Sequence, residues 1–257
     1  MRIIFTGQTG TTKEEVMKAL KREILNHHPE YPQDLKSCDL RRFVADYNVE
    51  DHFRPTTLVS WLETSNQRER ERVWKNSLEE ILEQEKKENP HHSFLTLHLT
   101  FQRKSRFFSP LSWEGALDLI EQFKPDYCVT LFDDIYSIWD RIAPGSYLRL
   151  RETMTWRNIE TLMTDSLAKH VAPRDQPAEI HRYPYKRSPV VSIKHPPEML
   201  YKLLFKPEIL KIYAAFPITR TRDDSKKRAE IDHFRNVLHK NFVVFDPLTI
   251  DKFSIGV

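Results

Sequence analysis

The chain has 257 residues, with 40 Lys and Arg against 37 Asp and Glu for a net charge of +3, and is 39% hydrophobic. That length supplies one large α/β domain or two small ones, and that apolar content excludes wholesale disorder. The mild basic excess suits a soluble protein that handles small anions such as nucleotides, and nucleic acid is not indicated. Cys38 and Cys128 are the only cysteines, too few and too far apart for a disulfide framework or a zinc site. Cys128, inside an apolar run, reads as a buried thiol. No stretch approaches the ~18 apolar residues of a spanning helix. The amino terminus reads as strand and loop rather than as a signal peptide. The expectation is a cytoplasmic protein with no membrane association, its partner a small nucleotide or nucleoside, with a homo-oligomer or a protein partner left open.

In chain order, Ile3-Ile4-Phe5 reads as a short strand and residues 13 to 26 as a helix, with Val16, Ala19, Leu20 and Ile24 at helical spacing. Residues 27 to 56, rich in His, Pro and Asp, read as a loop with short helical pieces. Residues 57 to 88 read as one long charged helix, its apolar face begun by Leu58, Trp61 and Leu62 and continued by Val73, Leu78, Ile81 and Leu82. Within it, "NQRERERVWKN" reads as a solvated face. "HSFLTLHLTFQ" (92 to 102) is a strand by its composition, followed by a helix at 112 to 123, a buried strand "DYCVTLFDD" (126 to 134) and the helical runs "IYSIWDRI" and "ETMTWRNIETLMTDSLAKHV". Residues 172 to 189 carry many prolines and read as a linker. "PVVSIKH", "LKIYAAFP" and "NFVVFDP" are three further strands, with a helix at 225 to 239 between the last two. The alternation predicts a three-layer α/β fold with a mostly parallel sheet and a long helical insertion, followed by a further β-α-β unit. The expected division is residues 1–205 and residues 206–257.

Two of the five glycines, Gly7 and Gly10, stand in the turn after the first strand. A phosphate loop needs glycines so that backbone N–H groups close around a phosphate, a helix amino terminus aimed at it, and a lysine that reaches the terminal phosphates. Gly7, Gln8, Thr9, Gly10, Thr11, Thr12 and Lys13 have that layout, and Gly7 and Lys13 have the spacing of G-x-x-x-x-G-K-[ST]. Thr12 stands where the second glycine would be, and Glu14 where a magnesium-holding hydroxyl would be. The competing reading is a strand-to-helix turn capped by Thr11 or Thr12.

From "FLTLHLTFQ" through Pro125-Asp126 to Arg141, the chain resembles the middle of the archaeal-type adenylate kinases, and with "FTGQTGTTK" the resemblance spans about residues 1 to 170. It implies a P-loop nucleoside-monophosphate-kinase-like fold that uses ATP or another nucleotide with Mg2+. It also implies a lid whose arginines grip phosphates, for which Arg149, Arg151 and Arg157 are the candidates; the family's tight arginine-aspartate lid pattern is absent. Asp133 and Asp134, at the carboxyl end of a strand, stand where a P-loop protein organises magnesium, and the alternative is a cap on the following helix. His98 either faces a bound base or packs beneath the sheet. Arg157 and Glu160, at i and i+3, are also readable as a helix-surface pair.

"LKIYAAFPITRTRDD" through Asp246-Pro247 resembles the first half of the nucleoside 2-deoxyribosyltransferase-like fold, which implies nucleoside binding in the loop after its first strand, near Arg220 and Arg222. The alternative is a segment that completes the first domain's sheet, with Asp223 or Asp224 capping its helix. Three functions follow: a kinase-like enzyme for phosphoryl transfer or nucleotide hydrolysis, a non-catalytic nucleotide sensor or assembly subunit, and N-glycosidic bond cleavage by the carboxy-terminal part. In the first, Lys13 and the loop N–H groups hold phosphates, Asp133 or Asp134 positions magnesium, and Arg141, Arg151 and Arg157 neutralise developing charge.

Overall fold

The computed structural model describes residues 1–30, 35–40, 65–103, 106–142, 149–171, 188–215 and 224–246. Its centre is a five-stranded sheet in the order β2-β3-β1-β6-β7. The strands are β1 (Arg2–Thr6), β2 (Leu35–Asp39), β3 (His92–Thr96), β6 (Tyr127–Phe132) and β7 (Val190–Ser192). Every pairing in it is parallel, as the α/β alternation requires. Parallel strands need both faces covered, and the strand sequences supply two apolar faces. Ile4, Cys38, Leu95 and Cys128 turn to one side and pack on α2 (Gln67–Glu88), α3 (Ala116–Phe123) and the end of α5 (Leu150–Val171). Ile3, Phe5, Phe94, Val129 and Leu131 turn to the other and pack on α1 (Lys13–His27) and α6 (Pro197–Phe205). The expected three-layer, mostly parallel α/β arrangement is therefore what the chain adopts. Burial pushes the Cys128 thiol up to about 12, in keeping with its place in the sheet.

Local signals set the helix limits. Asn66 caps α2, its side chain accepting from Glu69 N at 2.9 Å, and Asn89 closes the helix in the left-handed region. Its buried stripe holds Val73, Leu78, Ile81 and Leu82 as expected, while Leu58, Trp61 and Leu62 fall outside the described residues. The charged run in α2 is mostly solvated, with one correction: Arg70 is buried, its guanidinium over the Phe108 ring. On α1, Met17, Leu20 and Ile24 are buried, each contributing roughly 1.5–3 kcal/mol of transfer free energy.

Other limits differ from those read in the sequence. Residues 35–39, expected in a loop, form β2. The strand expected over 92 to 102 leaves the sheet after Thr96, and residues from Phe101 on enter a separate hairpin of β4 (Phe101–Arg103) and β5 (Arg106–Phe108). The helix expected from 112 starts at Ala116, after a 3-10 turn at Pro110–Ser112.

The carboxy-terminal unit contains β8 (Lys211–Tyr213), α7 (Ser225–Asn241) and β9 (Val243–Phe245). β8 and β9 pair in parallel with each other and, among the described residues, with no other strand. The unit rests on α6: Val243 joins the core there, and Lys202 Nζ donates to the His239 carbonyl at 2.6 Å. Asp224 caps α7 through Lys227 N at 3.1 Å. No described helix is long and apolar enough to cross a membrane.

Candidate functional site: the loop after β1

In a parallel sheet of this order the connections after β1 and β6 run in opposite directions. The carboxyl ends of those two strands therefore frame the crevice in which open α/β folds place ligands. The loop 7–12 and Asp133 stand there. Gly7 has φ +145 and Gly10 φ +90, and a β-carbon on Gly7 would lie 2.6 Å from the Leu131 carbonyl oxygen of β6. Only glycine lets the loop lie this close to the neighbouring strand.

The loop closes on itself through Thr11 N to Gln8 O at 3.2 Å and Lys13 N to Thr11 O at 2.8 Å. Among the described residues, the N–H groups of Gln8, Thr9, Gly10 and Thr12 donate to no protein acceptor. They sit at the amino end of α1, where the helix dipole is positive. The side chain of Gln8 is 2% exposed, and neither its amide oxygen nor its nitrogen has a hydrogen-bond partner; the Thr11 hydroxyl is likewise buried and unpaired. The capped-turn alternative is not what forms, because Thr12 occupies the N-cap position of α1 without a side-chain cap bond.

Lys13 is buried and reaches back across the loop, its ammonium donating to the Gly7 carbonyl at 2.8 Å and lying 3.3 Å from Nε2 of His98. His98 is half-buried beyond the end of β3, tilted against the Phe101 ring. Behind the loop stands Glu160 of α5, fully buried. Its Oε1 accepts from Gly7 N at 3.2 Å and Leu99 N at 2.9 Å, and its Oε2 accepts from the Thr100 hydroxyl. Burial raises its pKa above the usual carboxylate value, against the opposing pull of these donors and of Lys13. The surface-pair reading of Arg157 and Glu160 is thus corrected: Glu160 turns inward. Trp156, Glu160, Thr164 and Leu167 share one buried stripe. Their spacing of four, four and three residues was the signal available in the sequence.

The two aspartates divide their work. Asp134 caps α4 (Ile135–Ile142), its Oδ1 accepting from Tyr136 N at 3.1 Å and Ser137 N at 3.0 Å. Asp133 is buried and faces the loop. Its Oδ2 accepts from Arg141 at 2.5 Å, its Oδ1 accepts from Asp134 N at 2.7 Å, and Lys194 Nζ lies 3.8 Å from Oδ1. Arg141 also donates to the Gly10 carbonyl at 2.6 Å, so one guanidinium ties loop, acid and helix together.

A cleft of about 570 Å³ opens beside this cluster, between α1 and the turn after β7. Thr12, Glu15, Val16 and Ala19 line it from the α1 side, Ile193, Lys194, His195 and Leu200 from the other, and Asp133 and Arg141 also border it. Val16 and Ala19, two of the residues at helical spacing in the sequence, are half-buried and line this cleft. Arg151 is exposed in the first turn of α5 and Arg157 half-buried further along it; Arg149 precedes the helix, its backbone N–H donating to Glu152 at 2.8 Å. No hydrogen bond among the described residues joins any of the three to the loop. Arg220 and Arg222 lie outside the described residues.

No protein-family profile and no curated protein matches the chain. Among solved structures, shikimate kinase from Bacteroides thetaiotaomicron is similar over 80% of this chain and 98% of its own, at 15% identity and a TM-score of 0.41. A likeness of that size says nothing about chemistry, which has to be read from the loop and its surroundings.

Proposed function

We propose that the loop from Gly7 to Lys13 binds the phosphates of a nucleotide such as ATP, and that the adjoining cleft takes its nucleoside part. The protein is then a nucleotide-binding protein of P-loop kinase-like fold acting in phosphoryl transfer or nucleotide hydrolysis. One observation carries this reading: four loop N–H groups without protein acceptors surround the positive end of α1, with a buried, unpartnered Gln8 amide beside them. Lys13 moves from the Gly7 carbonyl to a phosphate oxygen, exchanging a neutral acceptor for a charged one. Arg141 faces the same space and can shift from Gly10 O to a phosphate, with Arg151 and Arg157 as further cations on the α5 side.

Magnesium fits these residues poorly. Asp133 spends both oxygens on Arg141 and Asp134 N, Asp134 is engaged as a cap, and Glu14 replaces the hydroxyl that would hold the ion. The same commitments favour a second reading, a nucleotide sensor that binds without turnover.

The test is calorimetric titration of the full chain with ATP, with and without magnesium, beside a turnover assay. Lys13→Ala removes a charge-assisted contact worth roughly 1.5–3 kcal/mol, so affinity falls about tenfold or more. Equal binding by wild type and variant overturns the reading. Binding without turnover selects the sensor.

A further inference from the structure

We propose that filling of the loop is coupled to a proton, and that Glu160 is the group that takes it up. The inference rests on the nucleotide reading above. Glu160 holds the loop from behind: it accepts from the N–H of Gly7, the loop's first residue, and from Leu99 N and the Thr100 hydroxyl in the segment after β3. It is 1% exposed, so water screens its charge little. Groups from three elements surround it. From α1 comes Lys13, the charged side chain that acts on it directly. From the segment after β3 comes His98, whose ring nitrogens lie 3.4 and 3.3 Å from Lys13 Nζ. From α5 come Trp156, whose indole N–H donates to the Thr100 hydroxyl at 3.0 Å, and Thr164, whose hydroxyl donates to the Glu160 carbonyl.

The Lys13 ammonium donates to the Gly7 carbonyl, and from there its charge favours the ionised carboxylate. A polyphosphate on the loop brings several negative charges to the other side of Gly7 and draws Lys13 toward them. Both changes penalise an ionised Glu160. The balancing step is uptake of one proton from solvent onto Oε2. The Thr100 hydroxyl, now donating to that oxygen, rotates to accept from it, while Gly7 N and Leu99 N keep Oε1. The anchor of the loop survives and the repulsive charge behind it is gone. Burial already biases Glu160 toward the neutral form, so the change falls nearer neutral pH than for an exposed acid.

The sign is fixed by linkage. Binding that takes up a proton tightens as pH falls through the pKa of the complex and levels off below that of the free protein. A tenfold change in proton affinity on binding corresponds to a maximum uptake of about half a proton per nucleotide.

The experiment is calorimetric titration of the full chain with ATP in two buffers of different ionisation enthalpy, from about pH 5 to 8. The number of protons exchanged is read at each pH. Glu160→Gln keeps the shape, with Thr100 turned to accept from the new amide, and should exchange about half a proton less than wild type at the maximum. Thr100→Val removes a donor that favours the carboxylate while Trp156 keeps the Thr100 backbone carbonyl as acceptor. It should move the uptake maximum to higher pH, which loss of structure alone does not do, and it serves if Glu160→Gln fails to fold. Identical proton numbers for wild type and Glu160→Gln overturn the proposal. So does an unshifted profile in Thr100→Val, or an uptake that disappears in His98→Gln instead. If wild type binds no ATP, the nucleotide reading falls and this inference with it; if it binds with no Glu160-dependent proton, only the inference falls.

Discussion

Gly7→Ala is the substitution that tests the geometry of the loop most directly. The added β-carbon would sit 2.6 Å from the Leu131 carbonyl oxygen, and the backbone there has φ +145. The obstruction is main chain of β6 in the middle of the sheet, so no side-chain rotation relieves it. Holding alanine in a glycine-only region costs about 1–3 kcal/mol, and forcing atoms into packed structure costs about 1–3 kcal/mol more. The expected destabilisation is about 2–6 kcal/mol, which for a domain of this size, at about 2–4 °C per kcal/mol, lowers Tm by roughly 4–24 °C. Gly10→Ala is the internal control. Its β-carbon meets the methyl groups of Ile142 at 3.1 Å and Ile138 at 3.3 Å, side chains that can shift, so its cost should stay near the ~1 kcal/mol of a positive-φ alanine. Urea unfolding followed by circular dichroism measures both. Equal stability of the two variants, or a Gly7→Ala loss below about 0.5 kcal/mol, would show that the loop does not lie against β6 as described.

Arg141→Ala leaves the buried Asp133 carboxylate with Asp134 N and a distant Lys194, and should cost about 1–2 kcal/mol. That is less than for a fully buried pair, because the guanidinium side chain is 40% exposed. Asp134→Ala should cost about 1 kcal/mol as a lost helix cap and leave ATP affinity as in wild type, and chemical denaturation beside calorimetry separates the two acids. His92 gives a pH signature. Burial, then the neighbouring amino terminus, lowers its pKa from 6.5 to about 4. On acidification between those values the unfolded chain binds a proton that the folded chain refuses, so stability falls. His92→Gln should flatten that fall when urea midpoints are compared at pH 7 and 5.

The loop and its strand were legible because glycine is scarce here and its placement is dictated by backbone geometry. The parallel sheet was legible because fully covered strands need continuous apolar runs, which "IIF" and "CVTLF" supply. β2 was not, since Leu35-Lys-Ser-Cys-Asp has only two apolar side chains and is defined by pairing with β3. The early end of β3 was hidden too. Its residue pattern continues past Thr96, but Leu99 N is taken by Glu160 rather than by another strand. A carboxylate sixty-one positions away ends the strand's run, and local propensity holds no record of it. Lys13 stands at the first position of a helix, where sequence gives no sign of burial, yet the curl of the loop folds it inward. The division between Asp133 and Asp134 depends on where Arg141 lands, one helix later.

The central position of β1 has a kinetic consequence. Ile3, Ile4 and Phe5 are fully buried and hydrogen-bonded into the sheet on both flanks, to β3 and to β6. No fraying motion at an edge can release such a strand, so its amides should exchange with solvent only through opening of the whole sheet. The loop grows directly from that strand. Its root is held for as long as the domain is folded, so the place from which the loop springs is lost only at the global unfolding rate.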